Sequence, residues 1–355
     1  MIRSLFGVRS SLFVAALLVA TASMLAQQAG QPTPPAPPAP VAPTAPVAPP
    51  APANLPLWAY GYAPPGAPAT PATPAAPDDG SLKTLQGSTG KFTLTQVRDG
   101  FGPADWFPGD HPAMPEIVAR GRKDGNVRAC ALCHYPNGKG RAENAPVSGF
   151  PVSYFVQQMA DYRAGARKSA DPKKGNTNAM IAIAKAMTDE EILAAAQYFG
   201  SMKWTPWIKV VESQTVPKTR IAGGLFVSLP GSETEPLGMR IIEMPEDNAR
   251  EALRDPRAGF VAYVPVGAIK KGEALVKTGG GKTTACAVCH GADLKGLGPV
   301  PGLAGRSPSY SARQLFDMQT GARNGLWADL MKPVVAKLTE EDLVNISAYT
   351  ASLAP

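Results

Sequence analysis

Two short clusters of cysteine and histidine hold most of the reactive side chains in this chain. The first, CALCH, runs from Cys130 to His134, and the second, CAVCH, runs from Cys286 to His290. Together they contain all 4 cysteines and two of the 3 histidines among 355 residues. Thiols and imidazoles at this spacing can form disulfides, bind zinc or attach a haem group covalently.

The histidine that directly follows each second cysteine favours haem attachment. Two disulfides would use every thiol but would leave both histidines without a role. A structural zinc site usually gathers its ligands from nearby positions, whereas Cys130 and Cys286 are 156 positions apart. In C-x-x-C-H the two thiols add to the porphyrin vinyl groups, and the next imidazole falls under the iron. We therefore predict two covalently bound haem c groups, the first held by Cys130, Cys133 and His134 and the second by Cys286, Cys289 and His290.

An internal repeat extends this prediction beyond the clusters. The segment Tyr154–Arg167 returns as Tyr310–Arg323, at the same offset of 156 as the clusters. A second block begins at Met180 and returns at Met331, at an offset of 151. Five additional residues therefore lie in the first copy, around the stretch SADPKK at residues 169–174.

The repeat also predicts a second axial ligand for each iron. Methionine ligation raises the reduction potential of a haem, although methionine is also common in protein cores. Met159, Met187 and Met318 correspond to other residue types in the opposite copy, whereas Met180 and Met331 recur. We predict Met180 as the ligand of the first iron and Met331 as the ligand of the second.

Each copy further predicts a small helical unit. Thr188 and Thr339 are each followed by three acidic residues, the pattern of a hydroxyl N-cap with acids in the first helical turn. Apolar residues at three-residue spacing, such as Leu343 and Ile346, then indicate a buried stripe. The expected order is helix, haem attachment, loop, helix, methionine loop and C-terminal helix.

Both copies resemble class I c-type cytochromes, and the tandem resembles the dihaem periplasmic carriers of the cytochrome c-four type. The resembling segments run from Met114 to Lys203 and from Lys270 to Leu353, about half of the chain. The resemblance rests on the two clusters, on the stretch from His290 to Tyr310 and on the methionine blocks before TDEE and TEED. It implies a mainly α fold class, with two class I cytochrome c domains in tandem, and the transfer of single electrons.

The resemblance also assigns roles beside each haem. It implies that His134 with Met180, and His290 with Met331, are the axial pairs. Members of the family use a proline carbonyl to orient the proximal imidazole, which fixes its tautomer. The candidates for this carbonyl are Pro146 for the first haem and Pro301, or alternatively Pro299, for the second.

Charged residues give weak support for an acidic partner. The formal net charge is +7. Removal of Arg3 and Arg9 with a signal peptide would leave +5, and four haem propionates would bring the sum to about +1. Lysine and arginine do not cluster with aromatic residues, so we expect no nucleic-acid partner. Arg167 and Arg323 lie at equal distance from their clusters, and each is either a solvated surface residue or the partner of a haem propionate.

The N-terminal part has a different composition. Residues 1–26 predict a secretory signal peptide, because Arg3 and Arg9 precede an apolar run from Leu12 to Ala20 and then small residues. Residues 27–80 predict a Pro/Ala-rich disordered linker that acts as a tether or spacer. Within it the stretch LPLWAYGYAPPG, Leu55–Gly66, is either a segment that docks on a partner or an accidental aromatic cluster.

The remaining chain divides into three predicted parts. Residues 81–204 form the first haem c domain with an N-terminal extension, and residues 268–355 form the second. Between them, residues 205–267 contain short β-rich runs separated by Gly-Gly and Pro-Gly turns. We expect a small β-rich inter-domain element there, which would make a contact surface.

These features predict an exported, periplasmic dihaem c-type cytochrome that transfers single electrons between other periplasmic redox proteins. One alternative is the electron-accepting cytochrome subunit of a periplasmic dehydrogenase complex. Another is a dihaem peroxidase-like enzyme, which requires one iron open to peroxide. His111, the one histidine outside the clusters, is either a ligand that replaces Met180 or a surface residue.

Overall fold

The computed structural model describes residues 51–64, 66 and 77–355. The predicted signal peptide at 1–26 and most of the predicted linker at 27–80 lie outside these residues. Among the helices of the described residues, none combines the length and apolar character needed to cross a bilayer.

Helices make up most of the regular structure. Their bounds are α1 Leu94–Val97, α2 Glu116–Ala119, α3 Cys130–His134, α4 Val152–Arg163, α5 Gly175–Ala186, α6 Asp189–Gly200, α7 Asn248–Ala252, α8 Ala268–Thr278, α9 Ala287–His290, α10 Pro308–Gln319, α11 Ala328–Val335 and α12 Glu340–Ser352. Short 3₁₀ helices occupy Leu57–Tyr60, Asp124–Asn126 and Gly279–Gly281.

The strands are short, and most of them lie between the two helical units. Their bounds are β1 Ile208–Glu212, β2 Thr215–Pro217, β3 Thr219–Ala222, β4 Leu225–Ser228, β5 Thr234–Pro236, β6 Ile242–Pro245, β7 Phe260–Val264, β8 Gly296–Leu297 and β9 Val300–Pro301. The largest sheet has the order β1-β7-β6, with β1 parallel and β6 antiparallel to β7. The strands β1 to β7 fall within the predicted β-rich range of 205–267.

The C-terminal helix of each unit begins with the predicted cap. The Thr188 hydroxyl accepts a hydrogen bond from the backbone N–H of Glu191, and the Glu191 carboxylate accepts one from the N–H of Thr188. Thr339 and Asp342 form the same reciprocal pair at the start of α12. This capping box pairs backbone N–H groups that the first helical turn leaves free.

Close helix packing holds the second unit together. Gly272 of α8 lies directly against Asn345 of α12, and a Cβ atom at Gly272 would lie 1.9 Å from the Asn345 carbonyl oxygen. Only glycine allows this approach of the two helices.

The methionine blocks differ from the predicted loops. Met180 lies inside the twelve-residue helix α5, and Met331 lies inside α11. The sequence of α5 contains several alanines and no proline. Its helix propensity therefore favours a helix at the position where the sequence analysis predicted a methionine loop.

The aromatic stretch within the predicted linker is folded, so the prediction of disorder across 27–80 is wrong for this part. Trp58, Ala59 and Tyr60 are buried in a hydrophobic cluster that also contains residues of the second helical unit, such as Phe316. Side chains of this size bury enough apolar area to fix a short segment despite its proline-rich surroundings. We refer to residues Leu55–Tyr62 as the aromatic strap.

Candidate functional site

The first cluster lines a cavity of about 340 Å³ in the first helical unit. Helix α3 places Cys130 and Cys133 one turn apart, so both thiols face the same side. Together with His134 they line the cavity, and Met180 of α5 lines it as well. The structure thus brings together all four residues that the sequence predicts for the first haem.

The second cluster lines a cavity of about 350 Å³ in the second unit. Cys286, Cys289 and His290 contribute to its wall, as does Met331 of α11. None of the four cysteines forms a disulfide. The same combination of two thiols, one imidazole and one thioether therefore occurs twice.

Each proximal imidazole donates to a backbone carbonyl. The Nδ1 atom of His290 lies 2.8 Å from the carbonyl oxygen of Pro301, one of the two candidates from the sequence. The Nδ1 atom of His134 lies 2.8 Å from the carbonyl oxygen of Ala145, so the prediction of Pro146 is wrong. Both carbonyls follow their histidine by 11 positions. The acceptor is a main-chain oxygen, which every residue type carries. The partner of each histidine is therefore set by its position in the repeat and not by its side chain.

Burial keeps both imidazoles neutral. It lowers the pKa of His134 and the pKa of His290, although the bond to the carbonyl acts against it in each case. With the proton on Nδ1, the lone pair of Nε2 is free to bind a metal ion in the cavity.

Other methionines line the cavities as well. Met159 and Met187 contribute to the wall of the first cavity, but both are fully packed in the core of that unit. Met318 likewise lines the second cavity and is buried in the core of the second unit. Met180 and Met331 are only partly buried, at the edge of these clusters.

The two cavities share a wall. Phe150 lines both of them, as do Tyr154 and Gln158 of α4 and Tyr310 and Gln314 of α10. The four residues from the helices belong to the segments that repeat at an offset of 156, so the two units meet through equivalent surfaces. Cofactors bound in the two cavities would be separated by these side chains.

Two arginines fix this shared wall. Arg167 donates to Gln158 at 2.9 Å and to Gln314 at 2.9 Å. Arg323 donates to Gln314 at 3.0 Å and to Gln158 at 2.7 Å. Both arginines are buried, which excludes the solvated alternative, and each lines the cavity of its own unit.

Buried cations show what kind of ligand the cavities fit. Five cationic side chains that line the cavities are buried, namely Arg167, Lys174, Arg306, Arg313 and Arg323. Within the described residues none of the five forms an ion pair with a carboxylate. A buried cation without an anion is costly. A large apolar ligand with carboxylates, which is the chemistry of haem, fits both the apolar walls and these charges.

Three of these cations were missed in the sequence. Arg306 is held by the carbonyls of Pro146, at 3.2 Å, and Ser148, at 3.1 Å, and its guanidinium lies 4.0 Å above the ring of Phe150. Arg313 and Lys174 have no equivalent cation in the opposite copy, so the repeat gave no signal for them. The only signal was the five-residue insertion that contains Lys174.

His111 lies apart from the lining of the first cavity. Its Nε2 atom is 3.1 Å from a carboxylate oxygen of Asp105, its Nδ1 atom is 2.9 Å from the carbonyl oxygen of Pro112, and its ring packs against Tyr198. Asp105 raises the pKa of His111 through this hydrogen bond. These contacts give His111 a role in the N-terminal extension and do not support it as a replacement for Met180.

Comparison with known proteins agrees with this geometry. A family model described as cytochrome c matches residues 118–203 and 269–354, and each match contains one cluster. Cytochrome c4 of Azotobacter vinelandii is 25% identical over 238 residues, which cover 64% of this chain and 86% of that protein. Cytochrome c-554(548) of Halomonas halodenitrificans is 39% identical over 72 residues, 20% of this chain and 87% of the relative.

A further relative has a more specific name. The thiosulfate dehydrogenase electron acceptor of Stutzerimonas stutzeri is 37% identical over 87 residues, which cover 24% of this chain and 38% of the relative. The matches in both halves, together with the two equivalent cavities, show two covalently bound haem c groups. The chain belongs to the cytochrome c family and is a dihaem electron-transfer cytochrome of the c4 type.

Proposed function

We propose that this cytochrome is exported and passes single electrons between redox proteins of the periplasm. In this proposal His134 with Met180, and His290 with Met331, hold the two irons. The observation that carries it is the recurrence of one C-x-x-C-H cluster and one repeated methionine in the wall of each cavity. One imidazole and one thioether from the chain for each iron would leave no position open to a substrate, so these residues would support electron exchange alone.

The chain supplies the environment for this reaction. The bound haem groups supply the one-electron change between ferric and ferrous iron. Cys130, Cys133, Cys286 and Cys289 would fix the porphyrins covalently, and the carbonyls of Ala145 and Pro301 orient the proximal imidazoles. The apolar walls exclude water, which tunes the reduction potential.

The shared wall supports a relay between the two irons. Tyr154, Gln158, Tyr310 and Gln314 line both cavities, so only packed side chains separate them. An electron that enters at one haem can therefore reach the other without leaving the protein. Two such centres in one chain also allow the storage of two electrons.

Optical spectroscopy of two variants tests the ligand assignment. The weak long-wavelength absorption that methionine ligation gives to ferric haem should fall by half in Met180→Ala and by half in Met331→Ala. Met159→Leu and Met187→Leu are the matched controls, because both side chains line the first cavity from the core. An unchanged band in Met180→Ala, or its loss in Met187→Leu, would contradict the assignment.

Mass spectrometry tests export and attachment together. The mature protein should lack a segment of about 26 residues, as expected for a cleaved signal peptide, and should carry the added mass of two haem groups. A chain that keeps its N-terminal methionine would contradict export, and a chain without porphyrin mass would contradict attachment.

A second proposal makes the chain the electron acceptor of a dehydrogenase. Its support is the relative named as the electron acceptor of thiosulfate dehydrogenase, which matches one part of this chain. Stopped-flow mixing with a thiosulfate dehydrogenase and thiosulfate should then reduce both haems faster than mixing with thiosulfate alone. Equal rates would leave the free carrier as the better description.

A further inference from the structure

The five-residue insertion in the first copy introduces a buried lysine. Lys174 is the last residue of SADPKK and is only 5% exposed. It lines the first haem cavity, whereas the residues that line the second cavity include no lysine. Its ammonium group forms no ion pair with a carboxylate of the described residues, so the insertion adds to the first cavity a buried cation that has no counterpart in the second copy.

The aromatic strap holds this charge in place. The Nζ atom of Lys174 donates to the carbonyl oxygen of Tyr60 at 2.9 Å. The neighbouring carbonyl of Ala59 accepts from Nη1 of Arg313 at 2.6 Å. Two successive carbonyls of the strap therefore bind two buried cations, one from each haem unit, and both cations line the first cavity.

Further contacts fix the strap itself. The Tyr60 hydroxyl donates to Asp317 at 2.7 Å, and the same carboxylate oxygen accepts from the backbone N–H of Ala170 in the insertion, also at 2.7 Å. The indole N–H of Trp58 donates to Glu340 at 3.0 Å. The insertion, the strap and helix α10 thus form one polar cluster at the edge of the first cavity.

The carboxylate of Asp317 belongs to this cluster, but it lies beyond salt-bridge distance of Lys174 and Arg313. Burial lowers the pKa of Lys174 to about 7, and the guanidinium of Arg313 acts in the same direction. Carbonyl dipoles offset only part of the cost of two neighbouring buried cations. A carboxylate that projects from a ligand in the cavity would complete the cluster, and haem carries two such groups.

We propose that Lys174 and Arg313, held by the carbonyls of the aromatic strap, bind a propionate of the first haem and raise the reduction potential of that haem relative to the second. This inference rests on the proposed placement of a haem in the first cavity. A nearby cation favours the ferrous over the ferric state, because reduction adds one negative charge to the centre. The insertion and the strap together therefore make two similar haem units electrochemically different.

Potentiometric titration of the intact protein tests this inference. Lys174→Met keeps most of the side-chain length but removes the charge. At a fixed electrode potential the ratio of oxidised to reduced first haem should rise about tenfold, which is about 59 mV for a one-electron couple. The second haem should not change. The wave that also shifts in Met180→Ala identifies the first haem.

Three further variants separate charge from structure. Lys174→Arg should restore the wild-type potential, and Lys173→Met, at an exposed neighbour, should leave both potentials unchanged. Trp58→Ala combined with Tyr60→Ala should release the strap and shift the first potential in the same direction as Lys174→Met. Lys174→Met without a shift, while both haems and the methionine band remain, would overturn the inference but leave the proposed function intact. Absence of the methionine band from the spectrum of the wild-type protein would instead contradict the proposed function.

A measurement on the wild-type protein covers the case in which Lys174→Met fails to fold. The groups that face Lys174 are Arg313, Glu143, Asp171, Asp317, Tyr60 and Tyr62. A bound propionate should move the titration of Lys174 to between about 7 and the ordinary value of 10.5. Across this range the first potential should fall with rising pH and the second should stay level, because only the first haem loses a neighbouring cation. A level first potential, with the methionine band intact, would overturn the inference.

Discussion

Arg167 of the first haem unit donates from Nη2 to the hydroxyl oxygen of Tyr310 in the second unit, at 2.9 Å. Arg323 makes the reciprocal bond to Tyr154, also at 2.9 Å. The backbones of the two arginines pair as an antiparallel bridge. Since the repeat offset of 156 relates both partners, the contact has an approximate twofold symmetry, and each unit binds the other through the same residues.

This symmetry predicts that equivalent substitutions in the two units lower the free energy of unfolding by equal amounts. Tyr310→Phe removes an acceptor from a buried guanidinium and should lower the free energy of unfolding by about 1.5–3 kcal/mol, as for hydrogen bonds to charged groups. Tyr154→Phe should cost the same to within about 0.5 kcal/mol. Denaturant titration of the haem-loaded protein measures both values. Tyr263→Phe on β7 is the control. A loss of unfolding free energy in only one of the variants Tyr154→Phe and Tyr310→Phe would contradict the symmetric contact.

The carbonyl bonds to the imidazoles predict tolerance of a proline substitution. His290 uses the main-chain oxygen of Pro301, and the equivalent residue in the first unit is Ala145. Pro301→Ala should therefore keep the bond to His290, the methionine band and the reduction potential of the second haem. A shift of the potential by as much as the Lys174→Met variant shifts the first would show that the proline ring itself is required.

The two histidine–carbonyl bonds show which parts of the site could be predicted from the sequence and which could not. The clusters and the recurring methionines predicted the residues that the structure brings together in each cavity, because covalent attachment and iron ligation depend on residue type. The carbonyl acceptors were predicted by residue type too, and this failed at Pro146 because a main-chain oxygen has no side-chain signature. The fold class was confirmed, since the repeat and the capping pattern are both local features.

Long-range packing accounts for what the sequence did not show. The strap lies in a proline-rich composition that favours an extended chain, and only the pockets formed by distant residues such as Asp317 and Glu340 explain why Trp58 and Tyr60 are buried. Lys174 likewise has no signature in the sequence, because its place beside the cavity depends on its contact with the strap. The signal peptide lies outside the described residues and remains a prediction.

His111 predicts a pH-dependent stability of the N-terminal extension. Asp105 raises its pKa above the ordinary value of 6.5. A group whose pKa is raised by folding contributes stability that is fully present below its unfolded pKa and is lost as the pH rises through the folded value. The wild-type protein should therefore lose stability relative to His111→Gln as the pH rises above about 6.5 and through the raised pKa of His111. Thermal unfolding at several pH values measures this, and a constant difference between the two proteins would contradict it.

The different exposure of the two clusters predicts that a small molecule in solution reaches one haem more easily than the other. Val288 in the second cluster is 67% exposed, whereas its counterpart in the first, Leu132, is 6% exposed. The inter-domain element covers the first cluster, where Arg254 donates to the carbonyl of Leu132 and Asn137 donates to that of Pro256 at 2.6 Å. A small oxidant such as ferricyanide should thus react with the second haem first.

Stopped-flow oxidation checks this order. The faster phase should carry the spectrum that changes in Met331→Ala, and the slower phase the spectrum that changes in Met180→Ala. Arg254→Ala should loosen the cover and speed up the slower phase only. A faster phase that belongs to the first haem would show that the cover does not control access.

Removal of the second haem predicts the loss of its helical unit. The cavity of about 350 Å³ would be empty. At about 24 cal/mol per Å³ an empty volume of this size costs about 8 kcal/mol, which is comparable with the total stability of about 5–15 kcal/mol for a protein domain. Cys286→Ser combined with Cys289→Ser should therefore lose much of the circular dichroism of α8 to α12. The single variant Cys289→Ser retains one thioether and should stay folded. Because the strap packs on the second unit, the double variant should also release the strap and shift the reduction potential of the first haem. A double variant that binds only the first haem but keeps its helical circular dichroism would contradict the loss of the helical unit and, with it, the release of the strap.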